Sequence, residues 1–178
     1  MRTTLKLALG AASTALLLTA CQTRAPSPRP PLQRPPSGEG GAALAPADYV
    51  ATAASIDLFV VKAAELALDR SGNYRVRALA ASLGEAHRGL AGQLSFAGRR
   101  VDALPSARML PREEERLARL QTETPFDTAF VRQMLLAHEQ SLALHANFAA
   151  RGSSPTLRPV AASAERVERA HLDELRHQ

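Results

Sequence analysis

Residues 126–151 read FDTAFVRQMLLAHEQSLALHANFAAR. Two apolar stripes run through this stretch. Val131, Leu135, His138, Leu142, His145 and Ala149 form one, and Phe130, Met134, Ala137, Ser141, Leu144 and Phe148 form the other. Spacings of three and four put each set on one face of an α-helix, so this helix is apolar over a wide arc and must be buried by several neighbours. Thr124-Pro125 with Asp127 in the first turn predicts a capped start, and Arg151-Gly152 predicts the end. A long helix buried on two sides belongs at the centre of a bundle, and the fold class follows from it.

The flanking sequence supplies the neighbours. Tyr49, Ala53, Ile56, Val60, Ala63 and Ala67 line a first helix from about Asp48 to Arg70, which stops at Ser71-Gly72-Asn73 with Gly72 suited to a left-handed cap. Val76, Leu79, Leu83, His87, Leu90 and Leu94 line a second, from about Tyr74 to Gly98. A long connection follows, with a short helix announced by Pro111 and the acidic turn Glu113-Glu114-Glu115. The helix of residues 126–151 is then the third long one. A fourth opens at Ser154-Pro155, or slips to Pro159, and carries Leu157, Val160, Ala164, Val167, His171 and Leu175. No alternating pattern indicates a strand. The sequence therefore predicts an all-α, ferritin-like four-helix bundle over residues 46–178, with an extra short helix in the crossover between the second and third long helices.

Composition agrees. Aromatics make up 4% of the 178 residues and Trp is absent, which favours helices packed through small and aliphatic side chains over a β-sandwich. The net charge is +5, but residues 46–178 hold 17 basic and 16 acidic groups. No basic stripe interleaved with aromatics appears, so nucleic acid is not expected as a partner.

The excess charge lies at the N-terminus. MRTTLKLALGAASTALLLTACQ has a basic start at Arg2 and Lys6 and an apolar run, Leu7 to Leu18, too short to span a bilayer. It closes on Leu18-Thr19-Ala20-Cys21, which resembles a bacterial lipoprotein signal. That resemblance implies removal of residues 1–20 and acylation of Cys21, the only cysteine. Acyl chains contribute roughly 0.8 kcal/mol per buried CH₂, so three of them anchor permanently. Gln22, a non-acidic residue after the cysteine, implies the periplasmic side of the outer membrane. Residues 22–45 contain six of the 12 prolines and a Gly-rich patch, and read as an extended, disordered tether.

His87, His138 and His171 each occupy a slot in an apolar stripe, on three different helices. They are expected to converge inside the bundle; the plainer alternative is three core histidines bonded to carbonyls. His145, one heptad beyond His138, is a candidate fourth member, and Glu168 shares a face with His171 at i, i+3. A di-iron carboxylate centre needs a Glu from each of two helices and two Glu-x-x-His units. Here Glu85 and His87 point about 200° apart, His138 and Glu139 about 100° apart. The stripe of the first helix shows no acid, with Glu65 only adjacent to it. Glu168–His171 therefore reads as an isolated pair, not half of a di-iron site. Imidazoles with few acids suit Zn²⁺ or Cu²⁺.

The stretches ADYVATAA, FDTAFVRQMLLAHEQSLAL and SPTLRPVAASAERVERAHL resemble the bacterial envelope family called "domain of unknown function 4142", over roughly residues 47–177. The resemblance implies a ferritin-like bundle and places His87, His138 and His171 at the family's histidines. The Pro155-Thr156-Leu157 start of the fourth long helix also matches. The chain departs where the family has Asp before the first two histidines, here Ala86 and Ala137, and Glu in the first helix, here Val60.

No nucleophilic thiol, phosphate loop or serine elbow is present, so the sequence favours no enzyme. It points first to a non-enzymatic, lipid-anchored envelope module of binding or stress-related type, with the membrane and a periplasmic protein as partners and no cofactor required. The alternative is a transition-metal-binding or metal-dependent redox protein using the inward histidines. The oligomeric state is left open.

Overall fold

The computed structural model describes residues 44–178. The expected signal segment, Cys21 and nearly all of the tether lie outside the described residues. The described residues form five α-helices: α1 Pro46–Arg70, α2 Tyr74–Gly98, α3 Pro111–Thr122, α4 Phe126–Arg151 and α5 Arg158–Leu175. No strand occurs among the described residues, and none of their helices is long and apolar enough to cross a membrane. The third and fourth long helices expected from the sequence are α4 and α5.

The helix ends follow local chemistry. Pro sits in the first turns of α1, α3 and α5, where its missing N–H costs no helical bond. The last helix begins at Arg158, the later of the two expected starts. Two expected caps differ. α1 ends on Ser71 in extended backbone (φ −78°, ψ 129°), not on a left-handed Gly72; Ser71 Oγ then accepts from the Asn73 amide, whose side chain caps α2 by accepting from Arg75. α4 begins after Pro125 with no side-chain cap, so Thr124 does not serve as one.

α1 and α2 form one antiparallel hairpin, α4 and α5 the other, and α1 packs on α4 while α2 packs on α5. Tyr49 near the start of α1 meets His145 near the end of α4, and Arg70 at the end of α1 lies 4.5 Å above the Phe126 ring at the start of α4. Hence α1 and α4 are antiparallel, and α2 and α4 run parallel. The connection through α3 therefore travels the length of the bundle, as in ferritin-like folds. It is fastened to α1 by Ser55, whose hydroxyl accepts from the Leu110 amide (2.8 Å) and donates to buried Glu113 (3.1 Å). Gly84 matters to the first hairpin: a Cβ there would stand 3.1 Å from that of Ala64, so glycine lets α2 approach α1 closely.

The apolar core is divided in two. One cluster holds Ile56, Phe59, Val60, Leu79, Leu83, Leu120, Phe130, Met134 and Leu175, and the other holds Tyr49, Val50, Leu94, Phe148, Leu157 and Ala161. Near the boundary of these clusters every long helix carries buried polar residues: Asp57 on α1, His87 on α2, His138, Ser141 and His145 on α4, Glu168 and His171 on α5. A polar layer in the middle of a bundle is costly unless its groups satisfy one another.

Candidate metal centre

His87, His138, Glu168 and His171 meet in this layer. Each offers one ligand atom, and the four atoms lie within 4.8 Å of one another. The centroids of the three imidazole rings are 5.0 Å (His87–His138), 5.3 Å (His138–His171) and 5.7 Å (His87–His171) apart. His87 Nε2 and His138 Nε2 face each other at 3.2 Å. Glu168 Oε1 is 3.8 Å from His87 Nε2, and Glu168 Oε2 is 3.9 Å from His138 Nε2. His87, His138 and Glu168 are fully buried, while His171 keeps 8% of its surface exposed.

The outer edges of the group are held by specific partners. His138 Nδ1 lies 2.8 Å from the Met134 carbonyl oxygen. A carbonyl cannot donate, so Nδ1 carries the proton and Nε2 presents a bare lone pair to the centre. His87 Nδ1 lies 2.8 Å from Asp57 Oδ1. Ser141 Oγ donates to Glu168 Oε1 at 2.8 Å. Two atoms of the group, Glu168 Oε2 and His171 Nδ1, remain buried without a partner. Each such atom costs about 1–3 kcal/mol.

Burial dominates the electrostatics. It pushes the Glu168 carboxyl up to about 8, with the Ser141 bond pulling down and Asp57 adding to the rise. It raises the Asp57 carboxyl well above its ordinary range. It lowers His87 to about 4, and His138 to about 3, helped by His87 and opposed by the Met134 carbonyl. His171 falls to about 4 through burial and then through His87. Near neutral pH the rings are thus uncharged, the form in which imidazole coordinates metals.

The expected convergence of His87, His138 and His171 is present, with no leucine between the rings. Two expectations are corrected. Glu168 and His171 are not an isolated pair, because Glu168 sits between His87 and His138. His145 is not in the group: its Nδ1 meets the Tyr49 hydroxyl at 2.9 Å, and its Nε2 is buried without a partner. Glu85 and Glu139 are exposed and take no part.

Sequence reading missed Asp57. The first helix does carry an inward acid, 2% exposed, one turn before Val60. Ala53, Asp57, Val60, Ala64 and Ala67 repeat at four, three, four and three, so an acid occupying a stripe slot was the available signal. Ser141, counted in the second apolar stripe of α4, also proves to be a hydrogen-bond donor to Glu168.

The family described as "Domain of unknown function (DUF4142)" matches residues 32–177. The chain belongs to the DUF4142 family. Its fold is also that of solved structures remote in sequence. A DUF305 fragment from Deinococcus radiodurans is 18% identical with a TM-score of 0.65, covering 74% of this chain and 93% of that one. CopM in the Cu(II)-bound form is 15% identical with a TM-score of 0.65, covering 76% and 96%. CopM in the Ag-bound form is 16% identical with a TM-score of 0.60, covering 75% and 94%. No curated protein matches the DUF4142 chain.

Proposed function

We propose that this DUF4142 domain binds one divalent transition-metal ion, Zn²⁺ or Cu²⁺, through His87, His138, His171 and Glu168. The observation that carries this reading is the facing pair of nitrogens at 3.2 Å, His138 Nε2 bare by virtue of the Met134 carbonyl, with Glu168 Oε2 orphaned beside them. Two nitrogens bound at about 2.0–2.1 Å to one tetrahedral ion stand roughly 3.3 Å apart, so this pair is already spaced as ligands are. The wider separations exceed that chord, and the group draws inward as it takes up the ion. Outer partners at Nδ1 of two histidines are the usual support of metal-binding imidazoles. Three imidazoles and a carboxylate, with no thiolate, suit a borderline divalent ion. CopM, a bundle of the same fold, has been solved in Cu(II)-, Cu(I)- and Ag-bound forms, which is in keeping with metal in this architecture.

One ion suits the site better than two. A carboxylate-bridged pair draws on four Glu, whereas the polar layer holds two acids, Glu168 and Asp57, and Asp57 is engaged with His87 Nδ1. A buried site with four protein ligands favours holding an ion over turning over a substrate. With Cys21 acylated, the domain would hold that ion on a lipid anchor in the envelope, as a binding module and not an enzyme.

Titration of the full-length chain with Zn²⁺ by calorimetry tests the reading. The expected result is one Zn²⁺ per chain, weakened more than tenfold by Glu168→Gln and abolished when His87, His138 and His171 are all Ala. Undiminished binding in the triple variant would refute it.

A further inference from the structure

The polar layer contains a second carboxyl, Asp57, whose one hydrogen-bond partner among the described residues is His87. An imidazole needs only an acceptor at Nδ1 to keep Nε2 bare, and the Met134 carbonyl does that for His138 without carrying charge. Hydrogen bonding alone therefore does not call for an acid at position 57. What Asp57 adds is a second buried carboxyl, 2% exposed and one ring away from the ligand nitrogens, able to balance the charge of a bound cation.

Counting charge at the proposed site gives that group a purpose. Three neutral imidazoles contribute nothing, while Glu168 and Asp57 can each supply one negative charge to a cation bound between them. A divalent ion brings the buried cluster to zero. A monovalent ion of the Cu⁺ or Ag⁺ class is balanced by Glu168 alone, whereas a divalent ion without Asp57 would leave a buried net positive charge, which is strongly unfavourable. No cationic side chain reaches the layer: the basic partners of acids among the described residues lie elsewhere, and Arg116, the buried one, is bound to Gln133 and Gln140.

We infer that Asp57 is the selectivity residue of this site, setting its preference for divalent over monovalent metal ions. The inference rests on the metal-binding reading above and adds to it a separate, charge-dependent role for one residue that is not a ligand. Position and charge can be separated, because Asp57→Asn keeps an oxygen acceptor and nearly the same shape for His87 Nδ1 while removing the charge.

The test is a pair of competition titrations, with Zn²⁺ and with Ag⁺ as probes, on the full chain carrying Cys21→Ser so that no thiol competes for silver. Wild type and Asp57→Asn are compared by the ratio of their Zn²⁺ and Ag⁺ affinities. A charge about 6–7 Å from the ion in a partly polar interior should move that ratio roughly tenfold to a hundredfold towards silver. Asp57→Ser, which also removes the charge and keeps a hydroxyl acceptor, gives the same comparison should the amide variant fail to fold. A ratio left unchanged, whether both affinities fall together or neither moves, overturns the selectivity role and makes Asp57 a positioning group only. Wild-type protein that binds neither ion would refute the metal-binding reading itself, and the selectivity role with it.

Discussion

His87 Nε2 and His138 Nε2 stand 3.2 Å apart at the centre of the bundle, one contributed by each helical hairpin. The Met134 carbonyl fixes a bare nitrogen on His138, and Asp57 backs the far side of His87. An ion between these nitrogens would join α2 to α4 and α5, across the layer that divides the apolar core.

Metal should stabilise the domain. An ion that binds only the folded chain adds about 2.7 kcal/mol at a hundred times its dissociation constant. For a domain of this size that is a rise in melting temperature of very roughly 10 °C. Differential scanning calorimetry with and without Zn²⁺, and again after chelator, reads it directly. Equal melting temperatures in all three conditions would contradict it.

The metal-free chain should be most stable between about pH 6 and 7. His87, His138, His145 and His171 all have lowered values when folded, at about 4, 3, 4 and 4. The unfolded chain therefore takes up their protons first, and stability falls as the pH drops below roughly 6.5. Glu168 and Asp57 act in the opposite sense. Folding raises them, so the folded chain keeps protons that the unfolded chain has lost, and their contribution disappears as the pH rises towards about 8 for Glu168. Thermal melts from pH 5 to 9 should trace a maximum, and Zn²⁺ should remove the alkaline fall. A melting temperature that climbs steadily to pH 9 without metal would go against this assignment.

Much of the fold was legible because helical periodicity is a one-dimensional signal. The four long stripes, Gly98, Pro111 and Arg151 gave the helices nearly to their ends, and the length of the connection gave the crossover. The site was legible only in part. Histidines at 87, 138 and 171 stood out because imidazole in a leucine slot breaks an apolar pattern. Asp57 did not, because Ile56 beside it satisfies the stripe, and an acid next to an apolar residue reads as surface. Glu168 was assigned to the right pair but to the wrong surroundings. Val167 fits the apolar stripe by type, yet it is only half-buried, while Glu168 packs at the centre. Which of two adjacent residues points inward depends on helix rotation, and packing across the bundle sets that.

His145 and Tyr49 should be structural and independent of metal. Tyr49→Phe deletes the hydroxyl at His145 Nδ1 and leaves a buried ring without its partner, a loss of about 1–3 kcal/mol in chemical denaturation. Seven residues of α4, about 10 Å, separate His145 from His138. Zn²⁺ affinity of the variant should accordingly match wild type within about twofold. A tenfold loss of affinity would place His145 in the centre after all.

Anchoring at Cys21 is a separate proposal with its own check. Cys21→Ser should shift the expressed protein from the detergent phase to the aqueous phase on phase partitioning, and should leave Zn²⁺ binding unchanged. Partitioning like wild type would rule out lipidation at that residue.

Metal content of the protein as purified tests the central claim most directly. The full-length chain, isolated without chelator and analysed by inductively coupled plasma mass spectrometry, should carry about one equivalent of zinc or copper per chain. The variant with His87, His138 and His171 replaced by Ala should carry none. Two equivalents of iron per chain, with oxygen consumed on adding Fe²⁺, would contradict the single-ion site, and metal-free wild type that takes up none on reconstitution would contradict a metal centre altogether.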